Sequence, residues 1–315
     1  MPMYREKLDS LTHVNVIFDT GGLGDTIAGL PAIKYIADKH KHIQVHFWVH
    51  SYAKEFSKNC LRDTNVIVRG LDEKKKFKPR LTRCLSKHLY NNMASHISRQ
   101  AFHVVVNKDV EDEHLNYLKP ELRGINLIKF QLPKNYIVMT PAFTAPAREL
   151  YGEYVNEINT YAKSKGYDIV FLGRKETLTG TKHVIEGLFS PEIDFNIGLN
   201  LMDRTTLLEA TKIIAGAKAL VGLDNGLCHL GACTDTSLVI GFSNVEPRYR
   251  LPFRENVMGY NCYPVVPPKS LGCRFCQSNM VFQYGQDFKE CFYKDYKCLK
   301  QLTPQLYINE LEKIL

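Results

Sequence analysis

With 315 residues, 44% of them hydrophobic and 23% charged, the chain has the composition of a globular protein long enough for two domains, each with its own core. No apolar stretch approaches the ~18 residues of a membrane-spanning helix, and residues 1–14 hold no apolar run of signal-peptide length, so the expected compartment is the cytoplasm. The net charge of +8 is one-sided: residues 1–135 carry 22 basic and 14 acidic side chains, whereas residues 136–315 balance at 19 and 19.

In chain order, a short β-prone run over 14–18 leads into a glycine-rich turn, 19–25. Helical spacing follows over 26–40, with Ile27, Leu30, Ile33, Ile36 and Ala37 on one face. Residues 43–49 read as the next strand, and 66–68 and 102–106 as two more. Between these last two lies a run at 74–87 with seven basic residues and no acid. It reads either as a solvated loop or as an attractor for an anionic polymer. Residues 130–135 read as a linker. A second alternating series follows: strand 136–140; helix 149–164, closed by Lys165-Gly166; strand 167–172, ending at Gly173; helix 205–215; strand 220–223; a short helix near 227–232; strand 237–241. Thr303 as N-cap and Pro304 at the first helical position predict a closing helix over 303–315. The expected domains are 1–132, 133–302 and the closing helix 303–315. Strand–helix alternation predicts parallel sheets in both domains, with ligands in the cleft between them.

Two strand-to-helix turns carry candidate chemistry. The first is Gly21-Gly22-Leu23-Gly24-Asp25-Thr26. It has neither the spacing of a dinucleotide fingerprint nor the Gly-Lys-Ser/Thr of a P-loop, which disfavours a nicotinamide-dependent oxidoreductase. It offers backbone that a ligand can approach at Gly22 and Gly24, and a carboxylate, Asp25. That carboxylate is either a helix N-cap or a reactive group at the mouth of the sheet. The second turn is Asp224-Asn225-Gly226-Leu227-Cys228-His229. It reads either as a structural turn with a buried His, or as a phosphate site built from free amides, the helix dipole and His229, with Asp224 on a ribose or bracing the loop. Nine cysteines include the cluster Cys273-x2-Cys276-x14-Cys291-x6-Cys298. A structural zinc site, four unlinked thiols and a disulfide pair all stay open for it. No His or carboxylate is spaced around it as an open catalytic metal site requires.

Residues 224–232, Asp-Asn-Gly-Leu-Cys-His-Leu-Gly-Ala, resemble the Asp-(Ser/Thr/Asn)-Gly-x-x-His-(Leu/Ile)-Ala signature of glycosyltransferase family 9, the ADP-heptose:lipopolysaccharide heptosyltransferases. Gly24-Asp25-Thr26 with Leu30-Pro31-Ala32 resembles that family's Gly-Asp-x…Leu-Pro-Ala segment, and the two segments stand in the family's order and separation. The resemblance implies a GT-B fold: two facing Rossmann-like domains with parallel sheets, donor on the C-terminal one and acceptor on the N-terminal one. It implies inverting transfer that requires no metal, with Asp25 as the base. Asp224, Asn225, Gly226, Leu227 and His229 would hold the donor, with Arg148 and Thr144 on its phosphates and Gly173 near its nucleoside. Gly22, Gly24, Lys74, Lys75, Lys76, Arg80 and Arg83 are the acceptor-side candidates. The chain departs from the family around Arg148, where no Trp accompanies the basic residue, and over about 70–125. The implied partners are a nucleotide-sugar donor and an anionic acceptor, either lipopolysaccharide or another surface glycan, or hydroxymethylated DNA. The second reading is a binding module that kept the fold and lost the reaction.

Overall fold

The computed structural model describes residues 8–19, 22–74, 83–84, 95–141, 148, 150–174, 193–278, 291, 293 and 295–315. The chain forms two compact units, one of residues 1–121 with 251–260, the other of residues 122–250 with 261–315. The expected boundary after residue 132 thus falls inside the second unit.

In the first unit, β1 (His13–Ile17), β2 (Gln44–Val49), β3 (Ile67–Gly70) and β4 (Arg83–Cys84) form a parallel sheet in the order β3-β2-β1-β4. Val14, Val16, Val45, Phe47 and Val49 are buried, so one side of β1 and of β2 feeds the core. Helix α1 (Leu23–Lys39) buries Ile27, Leu30, Ile33 and Ile36, the face expected from its spacing. A Cβ on Gly29 would meet the Phe18 ring at 2.4 Å, so only glycine permits this approach of α1 to the sheet. Helix α2 (Ser51–Cys60) follows β2.

Residues 102–106, expected as a strand, belong instead to helix α3 (Ile97–Val106), which packs on α1. The β-branched run Val104-Val105-Val106 favours a strand locally. Burial of Ile97, Ala101, Phe102 and Val105 at helical spacing overrules it, as do two end signals. His96 caps the start, its Nδ1 accepting the Ser98 N–H at 3.1 Å, and Asn107 ends the helix in the left-handed region at φ 58°.

The second unit holds a six-stranded parallel sheet of β5 (Tyr136–Thr140), β6 (Asp168–Phe171), β7 (Leu199–Asn200), β8 (Ala219–Leu223), β9 (Ser237–Gly241) and β12 (Cys262–Val265), ordered β12-β9-β8-β5-β6-β7. Strands β5 and β8 are buried throughout, as parallel strands covered on both faces should be. Between β9 and β12 the chain leaves for the first unit and returns as an antiparallel hairpin of β10 (Phe253–Arg254) and β11 (Val257–Met258). Helices α4 (Gly152–Ser164), α5 (Leu207–Gly216), α6 (Gly226–Ala232) and α7 (Lys297–Lys300) complete the unit with α8 (Pro304–Leu311), which packs on α4, β9 and β12. Thr303 and Pro304 open α8 as expected, although the Thr303 side chain makes no capping bond.

From β5 the chain builds outward through β6 and β7, then returns to lay β8, β9 and β12 on the other side of β5. The strand order therefore reverses between β5 and β8. A reversal of this kind leaves a crevice at the strands' carboxyl ends, where ligands of open α/β sheets bind.

Candidate functional site

The ends of β5 and β8 are Thr140 and Leu223, with Asp224 and Asn225 next in the chain. The two strands approach closely here: a Cβ on Gly222 would lie 2.1 Å from Thr140 Oγ1. Asn225 bridges the reversal, its Nδ2 donating to the Thr140 carbonyl and Oγ1, each at 3.3 Å. Its Oδ1 accepts from the Leu227 and Cys228 amides at 2.9 and 3.0 Å, so Asn225 is the N-cap of α6. The expectation of free amides at this turn is corrected by these bonds. Two of the first-turn donors are occupied by protein, and α6 has only seven residues. Anion binding at this turn therefore depends on side chains.

Those side chains converge on Asp224, which is buried. Arg148 Nη1 lies 3.2 Å from Oδ2, His229 Nε2 3.5 Å from Oδ1, and Arg250 Nε 3.9 Å from Oδ2. These are ion-pair distances; Oδ2 makes no hydrogen bond. Arg148 is further oriented by the Asp224 carbonyl at 3.4 Å and by Gln277 Oε1, which accepts from Nη2 at 3.0 Å. Burial by itself raises the carboxyl pKa of Asp224. The Arg148 guanidinium, the His229 hydrogen bond and Arg250 reverse this and hold it well below the usual carboxylate range. Gly173 lies two residues beyond β6, and its carbonyl accepts from the Asp203 N–H at 2.9 Å.

Arg250 and Gln277 were not among the expected site residues. Arg250 comes from the loop after β9. Gln277 comes from the cysteine-rich segment, held by its N–H to the Asn244 carbonyl at 2.9 Å and by the Phe275 N–H to Ser243 at 3.3 Å. No local motif announces either one, because only the fold brings Arg250 to Asp224 and Gln277 to Arg148.

In the first unit Asp25 is the third residue of α1. Its Oδ2 accepts the Gly22 N–H at 2.8 Å, so Asp25 reaches back from the first turn to the N-cap amide and is not the N-cap itself. The carboxylate is half-buried, and Gly24 sits beside it in the first turn of α1. Lys74 is half-buried at the end of the short turn 71–73, and Arg83 pairs with Val16 in β4. Lys75, Lys76, Arg80 and Thr144 lie outside the described residues.

Cys273, Cys276, Cys291 and Cys298 all carry free thiols, which removes the disulfide reading among them. They share one locality: burial pushes the Cys298 thiol up to about 12, helped by Cys276, Cys291 and Cys273. Burial and the neighbouring thiols also raise Cys276. The donor set suits a tetrahedral thiolate site in kind, yet no three His, Cys, Asp or Glu side chains among the described residues are arranged to hold a metal ion.

A cluster of basic groups around one buried carboxylate at the topological reversal of a parallel sheet, in a chain with two α/β units, defines a protein of the Rossmann-like α/β class. Within that class the chain belongs to glycosyltransferase family 9 (heptosyltransferase), whose model matches residues 65–266. The match takes in Arg148, Asp224 to His229 and Arg250, and begins after Asp25. Lipopolysaccharide heptosyltransferase 1 of Escherichia coli K12 is 25% identical over 197 residues, covering 56% of this chain and 59% of that protein. The chain thus spans under two thirds of that relative's length. The iron-containing, dodecameric glycosyltransferase TibC of enterotoxigenic E. coli is similar in structure over 98% of this chain and 80% of its own, with 16% identity and a TM-score of 0.75. For the E. coli ADP-heptose lipopolysaccharide heptosyltransferase II the shares are 96% and 98%, with 14% identity and a TM-score of 0.63. These likenesses show the fold, α/β with parallel sheets of the GT-B class. No helix among the described residues is long and apolar enough to cross a membrane.

Proposed function

We propose that this chain is an inverting glycosyltransferase that moves a sugar from a nucleotide-sugar donor, of the ADP-heptose kind, to a hydroxyl of an anionic glycan. The observation that carries the reading is the buried, net-cationic cluster of Arg148, Asp224, His229 and Arg250 at the reversal between β5 and β8. In the proposed reaction the acceptor oxygen attacks the anomeric carbon while Asp25 takes its proton. The bond from that carbon to the diphosphate oxygen breaks, and the electron pair leaves with the nucleoside diphosphate. Arg148, with Thr144, and His229 hold the diphosphate in place of a metal; the Asn225–Leu227 turn positions them, and Gly173 lies near the nucleoside. The acceptor's negative charge is met by the basic first unit, with Gly22, Gly24, Lys74, Lys75, Lys76, Arg80 and Arg83 on its side.

The relatives' names favour lipopolysaccharide over DNA as the acceptor. Incubation with ADP-heptose and either heptose-deficient lipopolysaccharide or hydroxymethylated DNA tests this. The expected outcome is ADP release and sugar transfer with the glycan only. Transfer to DNA alone would replace the acceptor, and donor binding without turnover on either would favour a binding module. The four clustered cysteines are proposed to draw together on a structural metal, zinc by ligand type or iron, the metal named in the description of TibC. Elemental analysis of purified protein, and of Cys273→Ser, is expected to find about one metal ion per chain that the variant loses.

A further inference from the structure

The charges around Asp224 do not balance. One carboxylate faces two guanidiniums, and the two are held differently. Arg148 also meets the Asp224 carbonyl and Gln277. The Arg250 side chain is only 9% exposed, yet its guanidinium makes no hydrogen bond among the described residues, and its one ion pair is the 3.9 Å approach to Asp224. A guanidinium has five N–H donors and stays charged at any ordinary pH. A guanidinium this enclosed, with one distant counter-ion and little water, gains from an arriving anion. The amides of Leu227 and Cys228 are already bonded to Asn225, so the turn has little else to offer an anion.

We infer that Arg250 is a donor-binding residue, its guanidinium taking oxygens of the donor's diphosphate while Asp224 braces it opposite Arg148. The inference rests on the reading of this turn as a nucleotide-diphosphate site, and it assigns a ligand contact to a residue outside the Asp-Asn-Gly-x-x-His signature. The two guanidiniums carry one positive charge beyond what Asp224 neutralises, which suits a polyanion and not a neutral sugar.

Calorimetric titration of the full chain with ADP and with inorganic pyrophosphate, for wild type, Arg250→Met and Arg250→Gln, tests this. Wild type is expected to bind both, and each variant to bind both about tenfold to a hundredfold more weakly, the range for a lost charged hydrogen bond. The unliganded Arg250→Met protein is expected to melt no lower than wild type, because it loses a poorly partnered buried charge. If Arg250→Met does not fold, Arg250→Gln carries the same comparison. Variants that bind ADP as tightly as wild type overturn the role of Arg250 and leave the nucleotide-sugar reading standing. Pyrophosphate binding that depends on Arg250, with no nucleotide binding, supports the anion contact and removes the nucleotide-sugar reading. A wild-type protein that binds neither ligand overturns both.

Discussion

Asp224 has a part in stability that can be measured apart from its place in the proposed donor site. Its carboxylate is the counter-ion to the half-buried Arg148 and the buried Arg250, so Asp224→Asn leaves both without one. Removing one partner of a buried ion pair costs about 3–5 kcal/mol, and urea unfolding should show a loss of that order. The sign with pH follows from the depressed carboxyl. Its folded value lies below the unfolded value of about 3.9, so its stabilisation is fully present above pH ~4 and is lost as pH falls towards the folded value. Urea midpoints measured from pH 7 to pH 3 are expected to fall at the acid end, and to fall less in Asp224→Asn. Asp25 allows a cleaner substitution. In Asp25→Asn an amide oxygen can still accept the Gly22 N–H, so α1 keeps its cap while the proposed base is gone. Turnover is expected to drop about 10²–10⁴-fold, with ADP affinity in calorimetry unchanged. Equal turnover would remove Asp25 from the base role.

At the scale of elements, the hairpin of β10 and β11 is tied into the first unit by a few polar bonds. His96 makes one of them. With Nδ1 accepting from Ser98, its Nε2–H is left to donate to the Leu251 carbonyl at 2.8 Å, and its ring stands edge-on to Phe253 at 5.0 Å. Asn116 accepts the Asn256 N–H at 2.8 Å, and the Tyr117 N–H donates to the Phe253 carbonyl at 2.9 Å. His96→Ala removes the cap of α3 and the partner of the half-buried Leu251 carbonyl, a loss of about 2 kcal/mol. Hydrogen exchange is expected to quicken at the Tyr117 and Asn256 amides first. Protection there equal to wild type would show that the hairpin is held by other contacts. The N-cap of α6 is a second such device. Asn225→Ala should cost about 0.5–2 kcal/mol and release the Leu227 and Cys228 amides.

Across the whole molecule, the excess positive charge lies in residues 1–135 and the buried cluster in the second unit. The two respond to salt differently. Exposed charges are screened at a Debye length of about 8 Å in physiological salt, whereas buried pairs are screened far less. Raising salt from about 50 to 200 mM is therefore expected to raise the KM for an anionic acceptor severalfold and to change ADP affinity little. Steady-state rates with each substrate varied in turn measure both. Equal sensitivity of the two would place the donor's phosphates in solvent-exposed surroundings.

The sequence by itself determined the elements of the second unit that are long apolar runs bounded by turn residues. The strand expected at 237–241 is β9, and the turn signature led to Asp224, Asn225 and His229. Buried parallel strands must be hydrophobic on both faces, so their pattern survives any tertiary context. Helix 97–106 was misread because three consecutive β-branched residues look like a strand until α1 and the cap at His96 are present. The Asp25 segment was legible as a strand-to-helix turn, but not its capping geometry. Only the tertiary structure decided that the amides after Asp224 are occupied, that Arg148 and Arg250 meet at one carboxylate, and that Gln277 orients Arg148. The reason is distance along the chain: Gln277 reaches Arg148 across 129 residues, and no local periodicity or propensity records a contact that exists only once the sheet has reversed its strand order.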